Sequence, residues 1–155
     1  KKYYTELNLI LKKISEQTNL KVLIASHPTT QIEILKKYLN FDIIKGNTNS
    51  LIRKAELVIT HTSTAISFAI LYNKPILFLT NDDITKSYDG FLPETLARIL
   101  NSKCINMSLK NNSVINMKQF KIDKSKYKKY INLYIKHPKA SLDSPFKSLI
   151  KQIVN

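Results

Sequence analysis

The hydrophobic residues of this chain follow two spacings, which predict alternating helices and strands. Tyr3–Ser15 carries apolar side chains at intervals of three and four, the spacing of an amphipathic helix. Further along, continuous apolar runs of strand length are typical of parallel strands buried on both faces. The predicted strands are Leu20–Ala25, Phe41–Ile44, Leu57–Thr60, Pro75–Leu79 and, at an edge, Lys103–Met107.

Predicted helices fill the intervals between the strands. They are Gln31–Leu39, Asn49–Ala55 with Thr48 or Asn49 as the N-cap, Ser63–Tyr72 and Pro93–Leu100. The alternation favours an α/β fold, a Rossmann-like parallel sheet with helices on both faces and right-handed crossovers. We expect residues 1–110 to form this domain.

The last third of the chain has a different pattern. Residues 111–155 are predicted to form a basic helical extension packed on the same domain, with Asn111–Ser113 as a flexible joint. Lys124–Lys136 has the spacing of an amphipathic helix, and Pro145–Val154 is predicted as a short final helix. The predicted helix Lys124–Lys136 carries three tyrosines among its lysines, at Tyr127, Tyr130 and Tyr134.

Length and composition restrict the class of protein. The chain has 155 residues, 43% of them hydrophobic, which suits one domain with a core and argues against disorder. Its apolar runs are too short to span a bilayer, and the single cysteine, Cys104, excludes a disulfide framework. Because the chain starts at Lys1 and enters a helix at once, we expect it to be part of a longer protein.

The net charge of +14 suggests an anionic partner, but the charge is unevenly distributed. Residues 1–100 hold 13 basic and 9 acidic side chains, whereas residues 101–155 hold 12 and 2. Nearly all of the basic residues are lysines in a chain rich in Ile and Asn, a bias that an AT-rich genome produces without selection for binding. A nucleic-acid partner is therefore not expected.

Polar residues follow the predicted strands at the positions where doubly wound sheets bind ligands, beyond the carboxyl ends of the strands. They are His27, the Gly46-Asn47-Thr48 turn, the His61-Thr62-Ser63-Thr64 cluster and Asn81-Asp82-Asp83. The sequence leaves open whether Asp82 and Asp83 touch a ligand or cap a loop, and the loop is the favoured interpretation.

The His61–Thr64 cluster lies between a buried strand and a predicted helix. Free backbone N–H groups at a helix N-terminus, with hydroxyls beside them, suit a phosphate-sized anion. Ordinary N-capping by Thr62 or Ser63 accounts for the same residues. The sequence leaves both interpretations open.

His27 is held at the end of its strand by Pro28, which disfavours helical geometry at the residue before it. An imidazole there can donate to a phosphate or protonate a leaving group, although a surface loop histidine is the plainer interpretation. Two glycines are too few for a dinucleotide fingerprint or a Walker loop. The three histidines are not spaced for zinc, so no metal is expected.

Several segments together resemble the C-terminal half of a GT-B glycosyltransferase, and more narrowly the bacterial sialyltransferase and polysialyltransferase group. The resemblance covers roughly residues 1–100. It depends on a His-Pro pair (His27-Pro28, the HP motif) that is followed along the chain by a Ser-Thr pair (Ser63-Thr64, the ST motif). The segments are Ile24–Pro28, Ser50–Lys54, Ala55–Thr60, His61–Ala65 and Asn73–Ile76.

The resemblance implies a CMP-activated sugar donor, with sialic acid or a related sugar moved to a capsule or lipooligosaccharide glycan without a metal or other cofactor. It implies that His27 contacts the donor phosphate and assists departure of CMP, as the catalytic residue of this half. The family's Ser/Thr pair maps onto Ser63 and Thr64, with Thr62 beside them. Gly46, Asn47 and Thr48 would lie near the nucleoside.

Two departures from the family pattern affect what is expected. Many relatives carry a basic residue two positions before the HP histidine, where this chain has Ala25. The acidic-acidic-glycine motif that supplies the family's base does not occur, since Tyr88 precedes Asp89-Gly90. An N-terminal domain of the same protein would supply it, so this chain is expected to bind the donor without turnover.

Two alternatives stay open. CDP-glycerol glycerophosphotransferases share a similar pair of motifs. A different class is a basic module that binds nucleic acid or anionic membrane through residues 118–139, against the plainer interpretation that its tyrosines pack on the core. The expected location is the cytoplasm, with peripheral contact at the inner face of the bacterial inner membrane.

Overall fold

The computed structural model describes residues 2–109 and 114–136, and these form an α/β structure with parallel strands. The class predicted from the sequence is thereby confirmed. The predicted joint at Asn111–Ser113, the final helix at Pro145–Val154 and His137 lie outside the described residues.

The strands form two parallel sheets. Strands β1 (Leu23–Ser26) and β2 (Asp42–Lys45) pair with each other, with Leu23 opposite Asp42. Strand β4 (Ile76–Thr80) lies between β3 (Val58–Thr60) and β5 (Lys103–Asn106) in the second sheet. The strands therefore divide where one sheet was predicted.

The two sheets nevertheless share a hydrophobic core. Ile24 of β1 and Ile59 of β3 pack against the same cluster, which is centred on Leu77 and Leu79 of β4. Strands β1 and β3 thus contribute to one core although they belong to different sheets.

Seven helices occur in the described residues. They are α1 (Lys2–Thr18), α2 (Ile32–Lys36), α3 (Thr48–Lys54), α4 (Ile66–Leu71), α5 (Asp82–Thr85), α6 (Leu92–Leu100) and α7 (Lys124–Tyr130). Helix α7 continues as a π-helical turn over Ile131–Ile135, and Met117–Gln119 forms a 3₁₀ turn.

Two predicted helix starts are wrong. Helix α3 begins at Thr48, and its N-cap is Asn47 in a left-handed conformation at φ 58°, so neither Thr48 nor Asn49 is the cap. Helix α4 begins at Ile66 rather than Ser63, because the amides of Ile66 and Ser67 bond three residues back, to the carbonyls of Ser63 and Thr64. A tight turn thus precedes the helix.

Strand β4 explains why helices cover both faces of its sheet. All five of its residues are buried, as expected for a central parallel strand. Ile76 and Phe78 pack in the cluster that includes α4 and α6, whereas Leu77 and Leu79 pack in the cluster that includes α1. Alternate side chains of one strand therefore anchor the two helical layers.

Tyr127 of the basic helix α7 is buried in this core. Asp123 caps it by accepting hydrogen bonds from the Ser125 and Lys126 amides. Tyr127 is 2% exposed, and its hydroxyl donates to the Lys74 carbonyl at 2.8 Å. Tyr127 is therefore a core residue and is not available to stack on a base or to meet a lipid surface.

Candidate functional site

His27 follows strand β1 and is exposed. The Thr29 backbone N–H donates to Nδ1 of His27 at 3.3 Å, and the Thr29 hydroxyl lies 2.8 Å from the same atom. Since Nδ1 accepts, the proton of the neutral ring is on Nε2. The turn therefore fixes a tautomer in which Nε2–H is a hydrogen-bond donor for a ligand.

The turn after β2 is built on two consecutive left-handed residues. Gly46 has φ 70° and Asn47 has φ 58°, which bends the chain sharply into helix α3. A Cβ added at Gly46 would meet no atom within 4 Å, so one side of this turn is open. Asn47 is exposed there, whereas Gly46 and Thr48 are half-buried.

The hydroxyls of Thr62, Ser63 and Thr64 follow strand β3 and are exposed. Ser63 Oγ accepts a hydrogen bond from the Ala65 amide at 3.2 Å, so it stabilises the turn before α4. The helix N-cap is Ala65, so the predicted capping of the helix by Thr62 or Ser63 is wrong. An anion here would be bound by hydroxyls rather than by free amides of a helix start.

His61, from the same cluster, is partly buried and holds two hydrogen bonds. Its Nδ1 donates to the Leu79 carbonyl at 2.7 Å, and its Nε2 lies 2.8 Å from the Tyr3 hydroxyl. Because a carbonyl can only accept, the neutral ring carries its proton on Nδ1, and Tyr3 donates to Nε2. The two histidines of the candidate site therefore hold opposite tautomers.

Burial affects the ionisation of this pair. Desolvation lowers the pKa of His61, and its hydrogen bond to the Leu79 carbonyl partly opposes this. Burial, with a smaller contribution from Tyr4, raises the pKa of Tyr3. At neutral pH the pair is therefore an uncharged phenol donating to an uncharged imidazole.

A cavity of about 390 Å³ opens beside this pair. Its lining combines the first turn of α1, the end of β3 and the segment that joins α5 to α6. The residues are Tyr3, His61, Thr62, Ile84, Ser87, Asp89 and Pro93. Of the residues predicted for the donor phosphate, only Thr62 lines this cavity.

The remaining polar residues at this edge form a bonded network around Glu6. The carboxylate of Glu6 accepts from Asn81 Nδ2 at 2.8 Å and from Ser108 Oγ at 3.0 Å. Asn81 is fully buried and also caps α5, since its Oδ1 accepts from the Ile84 amide. The network therefore joins α1 to the carboxyl ends of β4 and β5.

Asp82 and Asp83 form the first turn of α5 instead of capping a loop. Asp82 Oδ1 accepts from Asn106 Nδ2 at 3.3 Å. The residue that caps is their neighbour Asn81. The interpretation of Asp82 and Asp83 as loop caps is therefore wrong, and their carboxylates lie at the favourable end of a short helix.

Sequence reasoning missed Tyr3 and the pairing of Glu6 with Asn81. Each bond joins residues more than fifty positions apart, and a single sequence carries no signal for such a contact. For His61 a signal existed, because a histidine directly after an apolar strand is placed to bond a neighbouring strand's backbone.

The structure places the predicted residues at the ends of strands in two sheets. His27 follows β1 and Gly46–Thr48 follows β2, in one sheet, whereas Thr62–Thr64 follow β3 in the other. The hydrogen bonds of the His27 ring go to Thr29, and that of Ser63 Oγ comes from Ala65.

Among residues 2–109 and 114–136, no group of three His, Cys, Asp or Glu side chains is arranged to hold a metal ion. Within the same part of the chain, no helix has the length and apolar character needed to cross a membrane. Cys104 is half-buried, and burial, with a contribution from Glu94, raises the pKa of its thiol to about 11.

Comparison with models of known protein families, with curated proteins and with solved structures finds nothing that matches this chain. The function is therefore argued from the residues and their geometry alone.

Proposed function

We propose that this chain is the donor-binding half of a bacterial glycosyltransferase that takes its sugar from a CMP-activated donor. The observation that carries the proposal is the placement of exposed polar groups. His27 and the hydroxyls of Thr62–Thr64 follow the carboxyl ends of parallel strands β1 and β3 in an α/β fold, where such folds bind ligands.

His27 has the geometry required of a group that binds a leaving phosphate. Its Nδ1 accepts from the Thr29 amide, so the Nε2–H of this exposed ring is the group that can donate to a phosphate. An N–H donor on a phosphate oxygen stabilises the negative charge that develops there as the glycosidic C–O bond breaks and the bonding electrons pass to the phosphate.

The hydroxyls of Ser63 and Thr64 would complete the phosphate site, with Thr62 beside them. Helix α4 is six residues long and its entry turn uses the Ala65, Ile66 and Ser67 amides internally. The proposal therefore assigns binding to side-chain hydroxyls. Each hydrogen bond from a hydroxyl to the charged phosphate contributes about 1.5–3 kcal/mol.

The open turn at Gly46–Thr48 is proposed to receive the nucleoside. Gly46 and Asn47, both left-handed, reverse the direction of the backbone. Because Gly46 has no side chain and the space beside it is open, the base or ribose ring of a nucleoside can approach the backbone closely. The Asn47 side chain, exposed at the apex, supplies both a donor and an acceptor.

The catalytic base is proposed to come from outside this half. An N-terminal domain of the same protein would supply the base, so this chain is proposed to bind donor without transferring sugar. Cytoplasmic location, with contact to the inner face of the inner membrane, belongs to the same proposal.

Calorimetric titration of the 155-residue chain with CMP, CDP and UDP tests the proposal. Saturable CMP binding that weakens about fivefold or more in both His27→Ala and Ser63→Ala is expected, the effect of losing one hydrogen bond to a charged group. Ser125→Ala removes an exposed hydroxyl at the start of α7 and serves as the matched control. Absence of binding by all three nucleotides contradicts the proposal.

The same titration distinguishes the proposed function from the glycerophosphotransferase alternative. A glycerophosphotransferase-like domain would take a CDP-activated donor, so CDP binding tighter than CMP binding, with the same dependence on His27 and Ser63, favours it. The two functions share the phosphate chemistry and differ in the donor.

A second candidate function is docking on an anionic membrane through α7 and the turn that follows it. Leu133 and Tyr134 are 63% and 65% exposed beside the exposed Lys129 and Lys136. Exposed apolar groups next to lysines suit an anionic lipid interface. Co-sedimentation with phosphatidylserine vesicles that is lost in Leu133→Asp would support docking, and no co-sedimentation at low salt would exclude it.

A further inference from the structure

From the cavity between α1 and the segment that joins α5 to α6, we propose a binding site for a neutral sugar ring, which adjoins the hydroxyl turn proposed for the donor phosphate and shares Thr62 with it. The cavity holds about 390 Å³, enough for one pyranose ring, and lies at the carboxyl end of β3. The proposal rests on the proposed glycosyltransferase function in assigning that ring to the acceptor glycan.

The polar groups of the cavity are mostly hydrogen-bond acceptors. The Tyr3 hydroxyl donates its hydrogen bond to Nε2 of His61, so its oxygen can only accept a hydrogen bond from a ligand. The Ser87 hydroxyl likewise donates to the Ile84 carbonyl at 2.6 Å, and Asp89 supplies a carboxylate. Sugar hydroxyls, each with a proton to donate, are complementary to such a set.

Charge distinguishes this site from a phosphate site. In a chain of net charge +14, residues 82–94 carry four acidic side chains and one lysine. Of these acidic residues Asp89 lines the cavity, and its carboxylate raises the cost of bringing an anion near. A neutral ring is unaffected by this field, whereas a phosphate would favour the hydroxyl turn after β3.

Exposed aromatic side chains flank the cavity. Tyr88 is 96% exposed between the lining residues Ser87 and Asp89, and Phe91 is 60% exposed two residues before Pro93. Both aromatic side chains are therefore accessible to a ligand on the loop that lines the cavity. An aromatic face packs against the C–H face of a pyranose while the sugar hydroxyls bond at its edge.

The loop that carries these aromatics is held in place by Gly90. A Cβ at this position would lie 2.2 Å from the Ile84 carbonyl oxygen and 2.5 Å from that of Thr85. The loop therefore approaches the end of α5 as closely as backbone allows. Such packing fixes the backbone of the loop before a ligand arrives, which lowers the entropic cost of ordering the loop on binding.

Amide chemical-shift titration of the ¹⁵N-labelled 155-residue chain tests the site. The probes are lactose, methyl α-glucoside, N-acetylglucosamine and N-acetylgalactosamine, with glucuronate as the anionic counterpart. At least one neutral sugar is expected to shift the amides of residues 84–93 saturably. Binding should weaken about fivefold in Tyr88→Ala, the effect of one aromatic contact.

Tyr134→Ala is the matched control, because Tyr134 is also a largely exposed tyrosine and lies outside the loop. It should leave sugar binding unchanged. The inference is overturned if no neutral sugar binds, if glucuronate binds as well as the neutral sugars, or if Tyr88→Ala binds as the unaltered chain does.

The outcomes distinguish this site from the proposed donor site. CMP binding that depends on Ser63 but not on Tyr88, without sugar binding, removes the sugar site and keeps the donor proposal. Sugar binding at residues 84–93 without nucleotide binding keeps the sugar site and removes the glycosyltransferase role assigned to it.

Discussion

The Tyr3 hydroxyl donates a hydrogen bond to Nε2 of His61 across 2.8 Å, joining the first turn of α1 to the end of β3. Through its other ring nitrogen, His61 also bonds the Leu79 carbonyl in β4. A single imidazole therefore connects a helix and two strands at the edge of the sheet where the cavity opens. The geometry of that edge depends on the ring remaining neutral.

Removing the Tyr3 hydroxyl tests the first of these bonds. Tyr3→Phe leaves Nε2 of a partly buried imidazole without its donor, so we expect the free energy of unfolding to fall by about 1–2 kcal/mol. Urea denaturation measures the change. Tyr88→Phe removes a hydroxyl from a side chain that is 96% exposed and should shift stability by less than about 0.5 kcal/mol. Equal effects would contradict the role of the Tyr3 bond.

The lowered pKa of His61 predicts a pH dependence of stability. Below its usual value of 6.5, the imidazole takes up a proton more readily in the unfolded chain than in the folded one. The stabilisation is therefore complete above pH 6.5 and is lost as the pH falls from there toward the folded-state pKa. Urea unfolding at pH 7.5 and 5.5 should show a loss of stability at the lower pH.

His61→Gln separates this contribution from the other titrating groups, because Gln does not ionise in this range. The loss of stability between pH 7.5 and 5.5 should be smaller in His61→Gln than in the unaltered chain. The exposed His27 provides the matched substitution, and His27→Gln should retain the full loss. An unchanged pH dependence in His61→Gln would contradict the assignment.

The two glycines are required for different physical reasons, and the same substitution distinguishes them. At Gly90 any Cβ would clash with the carbonyls of Ile84 and Thr85, so Gly90→Asn should cost about 1–3 kcal/mol. At Gly46 there is open space and φ is 70°, a conformation that Asn tolerates, so Gly46→Asn should cost about 0.5 kcal/mol or less. Thermal unfolding compares them, and equal costs would refute the distinction.

Tyr127 distinguishes packing from partner binding in the basic helix. Tyr127→Phe removes the bond to the Lys74 carbonyl and should cost about 1 kcal/mol, whereas Tyr127→Ala should cost about 3–5 kcal/mol through the cavity it leaves. Burial raises the pKa of Tyr127 to about 12, so the phenol stays protonated at neutral pH and can donate to the Lys74 carbonyl. Leu133→Ala, at an exposed site on the following turn, should change stability little. A stable Tyr127→Ala protein would contradict the core position.

The alternation of strands and helices could be predicted from the sequence because apolar runs and helical spacing are local signals. Strand β4 illustrates this, since five consecutive buried residues read as a strand without knowledge of their neighbours. The same local reasoning misplaced the start of α4. Ser63, Thr64 and Ala65 favour a helix start by type, but Ser63 Oγ and two carbonyls close a turn there instead.

The exposure of His27 and of Thr62–Thr64 at strand ends followed from the same local pattern. The cavity could not be predicted from this local pattern, because Tyr3 reaches His61 only when α1 lies on the sheet. The division into two sheets could not be predicted either, because it depends on whether β1 and β3 approach closely enough to form backbone hydrogen bonds. Contacts between distant segments decide both features, and no spacing rule within one sequence reports them.

The central claim, that the strand ends after β1 and β3 bind the phosphate of a cytidine nucleotide, is tested most directly by an amide chemical-shift map with CMP. The claim predicts saturable shifts concentrated at residues 27–30 and 61–65, with both sets weakened in Ser63→Ala. Shifts confined to the lysine-rich helix α7, or no saturable shifts at millimolar CMP, would contradict it.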